Sequence, residues 1–168
     1  MYIQSLGRAS VAALTLVLIV ALAAMLATSG RAADPTSRTI VFQEIEKGGT
    51  FEHVRNTRPT SRYANLAGDI IVFANRLQDA SGAAAGRIEG TCVTSKGSND
   101  FRKSRMNCQA SYLLKDGTIS VLGSISPGEE ESGDASVVGG TGSYANVRGT
   151  LVSTPTRVGD RDTLTLVN

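Results

Sequence analysis

Met106-Asn107-Cys108-Gln109-Ala110-Ser111-Tyr112-Leu113-Leu114-Lys115-Asp116-Gly117-Thr118-Ile119-Ser120-Val121-Leu122-Gly123 is the stretch that decides how this chain folds. Met106, Cys108, Ala110, Tyr112 and Leu114 fall on one face of an extended strand, with Asn107, Gln109 and Ser111 on the other, because successive side chains point to opposite sides. Asp116-Gly117 then supplies a pair of residues that tolerate positive φ, the signal for a tight turn. The stretch predicts a hairpin with Leu114 opposite Ile119, Tyr112 opposite Val121 and Ala110 opposite Gly123.

Upstream, pairing residues 85–95 with 105–114 around the polar loop 96–105 sets Cys92 opposite Cys108. Directly opposed antiparallel residues lie about 4.5–5.5 Å apart at Cα, within disulfide reach. Further outward the alternation recurs. Residues 39–47 place Ile40, Phe42, Glu44 and Glu46 on one face and Val41, Gln43 and Ile45 on the other. Residues 68–77 oppose Ile71, Phe73, Asn75 and Leu77 to Ile70, Val72, Ala74 and Arg76, apolar on both sides, as for a strand covered on both faces. Strands follow at 134–139, 144–153 and 162–167, and 51–55 is a weaker candidate. The fold class is all-β: an eight-stranded antiparallel up-and-down barrel, a size that encloses one small ligand.

Residues 1–33 stand apart. Arg8 precedes the apolar run 11–27, and Thr28-Ser29-Gly30-Arg31-Ala32-Ala33 follows it. A basic start, an apolar core and small residues make a secretory signal peptide, cut after Ala32 or, as the near alternative, Ala33. The expected organisation is a signal at 1–32 and one barrel domain at 33–168. The expected location is extracellular, or the cell surface if the 17-residue run is kept as an anchor. Removing 1–32 takes away Arg8 and Arg31 and leaves 15 basic against 15 acidic residues. A chain without net charge and without a dense basic block does not read as a nucleic-acid binder, nor as a membrane protein once the signal is cut. One His and two Cys exclude a zinc site of several imidazoles or a thiolate cluster. In an oxidising compartment the two cysteines are expected to pair.

Four segments, in order, resemble the allene oxide cyclase/dirigent barrel superfamily. They are Gly68-Asp69-Ile70-Ile71-Val72-Phe73-Ala74-Asn75-Arg76-Leu77 with Asp79, Gly86-Arg87-Ile88-Glu89-Gly90-Thr91-Cys92-Val93, Gly117-Thr118-Ile119-Ser120-Val121-Leu122-Gly123, and Val137-Val138-Gly139-Gly140-Thr141-Gly142-Ser143-Tyr144 through Gly149. The resemblance implies an eight-stranded barrel, often a homotrimer, that holds a small hydrophobic molecule without a cofactor. In that superfamily a shaped apolar cavity restricts a reactive guest to near-attack conformers, for cyclisation or stereoselective coupling. It also implies a catalytic role for Glu44, in Glu44-Ile45-Glu46, and for Asn75, which would fix an oxygen or a water. Cys92 matches a strand cysteine of the cyclases. Glu46 stands where an Asn is expected, and Ser124-Ile125-Ser126 stands where a cavity Tyr is expected. These departures point away from allene oxide cyclisation itself.

The candidate catalytic residues are therefore Glu44 and Asn75, and the candidate ligand contacts are Phe42, Phe73 and Tyr112, with no metal ligands. Two readings of Glu44 stay open. Facing an apolar cavity, its carboxyl is desolvated and becomes an acid or base; with Val41 and Ile45 inside instead, it is a solvated surface charge. Asn75 either orients a guest oxygen or satisfies a strand end near Asp79. Tyr112 reads best as a packing residue with one satisfied hydroxyl. Gly139-Gly140-Thr141-Gly142 lacks the Lys-Ser/Thr of a phosphate loop and reads as a turn between strands.

Overall fold

The computed structural model describes residues 36–56, 58, 61–128 and 133–168; the signal and cleavage site expected at 1–33 and the run Glu129-Glu130-Glu131 lie outside them. Strands β1 (Ser37–Val54), β2 (Ile70–Gln78), β3 (Ala84–Lys96), β4 (Arg105–Leu114), β5 (Gly117–Ile125), β6 (Gly133–Gly140), β7 (Arg148–Pro155) and β8 (Asp160–Val167) follow one another. Each pairs antiparallel with the next, and β8 returns to β1, closing the barrel. Closure satisfies both edges of what would otherwise be an open sheet. Short 3-10 turns at Phe101–Lys103 and Gly142–Tyr144 complete the described elements.

The β3–β4 register is the expected one: Cys92 opposes Cys108, and the two form a disulfide with Cα atoms 4.0 Å apart. The β4–β5 hairpin differs by two residues. Leu114 pairs with Gly117, Tyr112 with Ile119, Ala110 with Val121 and Cys108 with Gly123. The turn is Lys115-Asp116, and among the described residues other than glycine only Asn146 has positive φ. Gly117, at φ 144°, is used differently. A Cβ there would lie 2.1 Å from the Thr141 carbonyl oxygen, and the Ser143 amide donates to the Asp116 carbonyl at 2.8 Å. The glycine thus admits the 139–142 turn rather than bending the chain itself. A shift by an even number leaves every side chain on its expected face.

Two other boundaries move. The weak candidate at 51–55 is the far half of β1, carried across an irregularity between Ile45, opposite Arg76, and Thr50, opposite Ala74. Gly48, at φ 79°, makes this bulge possible. Tyr144 belongs to the 3-10 turn, and β7 starts at Arg148.

Inside the barrel, Phe42, Leu77, Ile88, Tyr112, Ile119, Leu164 and their neighbours form one cluster, and Ile71, Cys92 and Met106, with Phe101 against them, form another. Beside the second cluster, buried polar groups tie the loop after β1 to the β3–β4 loop. Asn65 donates from Nδ2 to Ser104 Oγ at 2.9 Å and accepts at Oδ1 from Thr94 Oγ1 at 2.8 Å. Asp69 accepts from the Leu66 and Asn56 amides and lies 3.2 Å from His53 Nε2. Burial opposes the charge on Asp69, but these bonds hold its carboxyl below the usual range. On β2 only the inner face is covered. Val72 is exposed, as are Val54 and Val93, the cross-strand neighbours of Ile70.

Candidate functional site

Between the two clusters lies a cavity of about 710 Å³. It exists because the inward positions at mid-barrel are small. Phe73 pairs with Gly90, Gly90 with Ala110, and Cys108 with Gly123, which faces Ala135. A row of glycine and alanine leaves the space that larger side chains fill above and below. Gly90 also makes room for a ring, since a Cβ there would lie 2.3 Å from Phe73 Cζ. The exposed members of the lining, Glu46, Phe51, Ser124, Asp134 and Pro155, mark the opening.

The polar groups converge on one wall. β1 turns Phe42 and Glu44 inward, both more than nine-tenths buried, which settles the open choice of face. Asn75, inward on β2, donates from Nδ2 to Glu44 Oε2 at 3.0 Å. The β1 bulge makes this approach possible, because a Cβ on Gly49 would lie 2.1 Å from Asn75 Oδ1. Tyr112, fully buried on β4, donates its hydroxyl to Asp162 Oδ2 at 2.7 Å. Asp162 is 1% exposed, and its Oδ1 meets no N–H or hydroxyl donor among the described residues. The neighbouring Glu44 carboxyl interacts with the Asp162 carboxyl. Asp160, two residues along β8, completes a cluster of three carboxyls.

This environment sets the protonation states. Burial, then the charge and hydrogen bonding of Asp162, push Glu44 up to about 9, against the opposing bond from Asn75. Glu44 is therefore a neutral carboxylic acid at neutral pH, placed to share its proton with Asp162. Burial followed by the Asp162 charge also raises Asp160. The same two causes raise Tyr112, keeping the phenol protonated as a donor.

Of the residues singled out in the sequence, Glu44, Asn75, Phe73 and Tyr112 line the cavity, and the Cys92–Cys108 disulfide forms part of its wall. Phe42, expected against the guest, lies outside the lining. It stacks on Tyr112 with ring centroids 5.9 Å apart and supports that residue instead. Asn75 is a wall residue bonded to Glu44, not a strand-end cap. Asp160 and Asp162 were missed. The signal was present: Asp160, Asp162, Leu164 and Leu166 alternate on one face, so both carboxylates had to point the way the leucines do. His53 engages Asp69 and takes no part in the cavity wall.

Residues 36–167 match the sequence profile of the dirigent-like protein family. No curated protein matches the chain significantly. Among solved structures, a pyocyanin demethylase superposes with a TM-score of 0.61 at 20% identity, over 78% of this chain and 99% of that one. A nonspecific heme-binding cyclase that catalyses a (4 + 2) cycloaddition in neoabyssomicin biosynthesis gives 0.56 at 19% identity, over 100% of this chain and 83% of that one. A pterocarpan synthase dirigent protein gives 0.54 at 14% identity, over 80% and 88%. At these identities the likeness is one of fold. The family match spans the whole described barrel, and the chain belongs to the dirigent-like protein family.

Proposed function

We propose that this protein is an exported barrel that takes up one small hydrophobic compound and guides its cyclisation or stereoselective coupling without a cofactor. The observation that carries the reading is the Glu44 carboxyl, buried in the wall of an open cavity, hydrogen-bonded to Asn75 and held neutral at pH 7. A neutral acid in that position lends its proton to a heteroatom of the guest and recovers it when the ring closes. The net reaction is then proton-neutral, as an isomerising cyclisation requires. The Asn75 amide holds the carboxyl in place, and the apolar walls restrict the guest to productive conformers. Ring formation is the chemistry named for the cycloaddition cyclase, which supports the reading. Export is supported by the disulfide, which persists in oxidising compartments. A homotrimer would cover the exposed valines beside Ile70, and the native mass of the exported protein reports it directly.

The test is to identify the compound that co-purifies with the exported protein, return it to emptied barrel and follow it by chiral chromatography. The wild type is expected to convert it to one stereoisomer, and Glu44→Gln to slow conversion at least ~100-fold, in the range of general-acid effects. Recovery of the compound unchanged after prolonged incubation would overturn catalysis. It would leave the second reading, a non-catalytic carrier. That reading is favoured by the wall at Cys92 and Cys108, where the disulfide leaves no thiol to react.

A further inference from the structure

The described residues that line the cavity include five acids, Glu44, Glu46, Asp134, Asp160 and Asp162, and no Lys, Arg or His. One proton on Glu44 neutralises one of them. Asp162 is almost fully buried, accepts one bond from Tyr112, and presents its other oxygen to no fixed donor. Buried carboxylates ordinarily find a cation or several hydrogen bonds, because charge in a low-dielectric interior is otherwise costly. No side chain of this wall offers a cation. Aromatic rings accompany the acids: Phe51, Phe73, Phe101 and Tyr112 all border the same space. Rings and carboxylates together attract organic cations, the rings through their negative faces and the carboxylates through charge.

We propose that the natural guest is an organic cation: an apolar, ring-containing compound bearing a positively charged nitrogen, seated with its charge against Asp162 and Asp160. The inference rests on the reading of the cavity as a small-molecule site and adds its charge. The cavity volume lies within the range of sites that take drug-sized ligands, so a tricyclic ring system fits with room for substituents. An anion of the same shape meets the acidic opening at Glu46 and Asp134 and then Asp160 and the buried Asp162, and is excluded. The guest's positive charge supplies the counter-charge that the described lining does not, while Asp162 keeps its bond from Tyr112.

Three fluorescent probes of one shape separate the possibilities: 10-methylacridinium (cationic), acridine (neutral at pH 8) and acridine-9-carboxylate (anionic). They are titrated into the exported protein at pH 8. The cation is expected to bind at least ~10-fold more tightly than acridine, with the carboxylate weaker still. In Asp162→Asn, which keeps an acceptor for Tyr112, and in Asp160→Asn, the preference for the cation falls at least ~10-fold while acridine affinity is unchanged. Lys47→Gln, outside the lining, serves as the charge-change control and leaves the preference intact. Equal affinity for all three probes, or a preference surviving both Asp variants, overturns the charge assignment and leaves the cavity reading standing. Failure of every probe to bind overturns both.

Discussion

Replacing Glu44 with Gln removes one titration from the folded state and almost nothing else. The amide keeps an acceptor for Asn75 Nδ2, which lies 3.0 Å from the native carboxyl, and its N–H₂ replaces the carboxyl O–H as a donor. In the native fold the Glu44 pKa is raised from 4.5 to about 9, so the folded chain holds a proton that the unfolded chain releases at pH 4.5. A group raised in this way contributes its full stability below the unfolded value, and the contribution is lost as pH climbs towards the folded one. Across that window one retained proton changes stability by about 1.4 kcal/mol per pH unit. Between pH 4.5 and 7 the loss comes to about 3 kcal/mol on the same basis. Asp160 is also raised, with the same sign starting lower, and Asp69 is lowered, so its contribution fails only as pH falls. Subtracting the variant from the wild type isolates Glu44. Urea unfolding with the disulfide intact, at half-unit steps from pH 5 to 8, is the assay. The wild type should lose stability with rising pH relative to Glu44→Gln, and the variant should be the more stable protein at pH 7 by up to about 3 kcal/mol. Parallel curves would show that Glu44 is ionised in the fold, and the acid reading of the site would fall with that result.

Three further outcomes follow from the same geometry. Tyr112→Phe removes the 2.7 Å bond to Asp162 and leaves a buried carboxylate without that donor, so a loss of about 1–3 kcal/mol is expected by chemical denaturation; an unchanged midpoint would contradict the bond's role. Cys92→Ala with Cys108→Ala opens a loop with 15 residues between its ends, worth roughly 3 kcal/mol in the chain-entropy model. The melting temperature should fall, and intact wild type should weigh two hydrogens less than its reduced form; two alkylatable thiols in protein made in an oxidising compartment would refute the pairing. Asp69→Ala removes the acceptor for the Leu66 and Asn56 amides. Amide exchange should rise first in the loop between β1 and β2, and uniform protection would argue against the anchoring role.

Much of the barrel was legible because its hairpins are local. The cysteines pinned β3 to β4, since only one register puts Cys92 opposite Cys108. The β4–β5 turn misled by two residues because Gly117 is spent on the close approach of the 139–142 turn, a tertiary demand with no local signature. Lys47-Gly48-Gly49 looked like the end of a strand for a related reason. The glycines serve a bulge that carries β1 onward and clears the Asn75 amide. At the site, Glu44 and Asn75 were found through resemblance and the faces they share with Phe42 and Phe73. Asp160 and Asp162 were passed over because acids at the start of a strand usually face water. Only barrel closure, which brings β8 beside β1 with Asp162 opposite Phe42, reveals that they meet Glu44.

The central claim is that the row of small residues at mid-barrel hollows out a space that holds one molecule. Native mass spectrometry of the protein, purified without refolding, tests it beside Ala110→Leu, which places a larger side chain opposite Val121 and fills that space. The account predicts that each wild-type barrel carries one small compound, released on collisional activation, and that the variant is folded and empty. A wild type at its bare mass, or equal loading of both proteins, would contradict it.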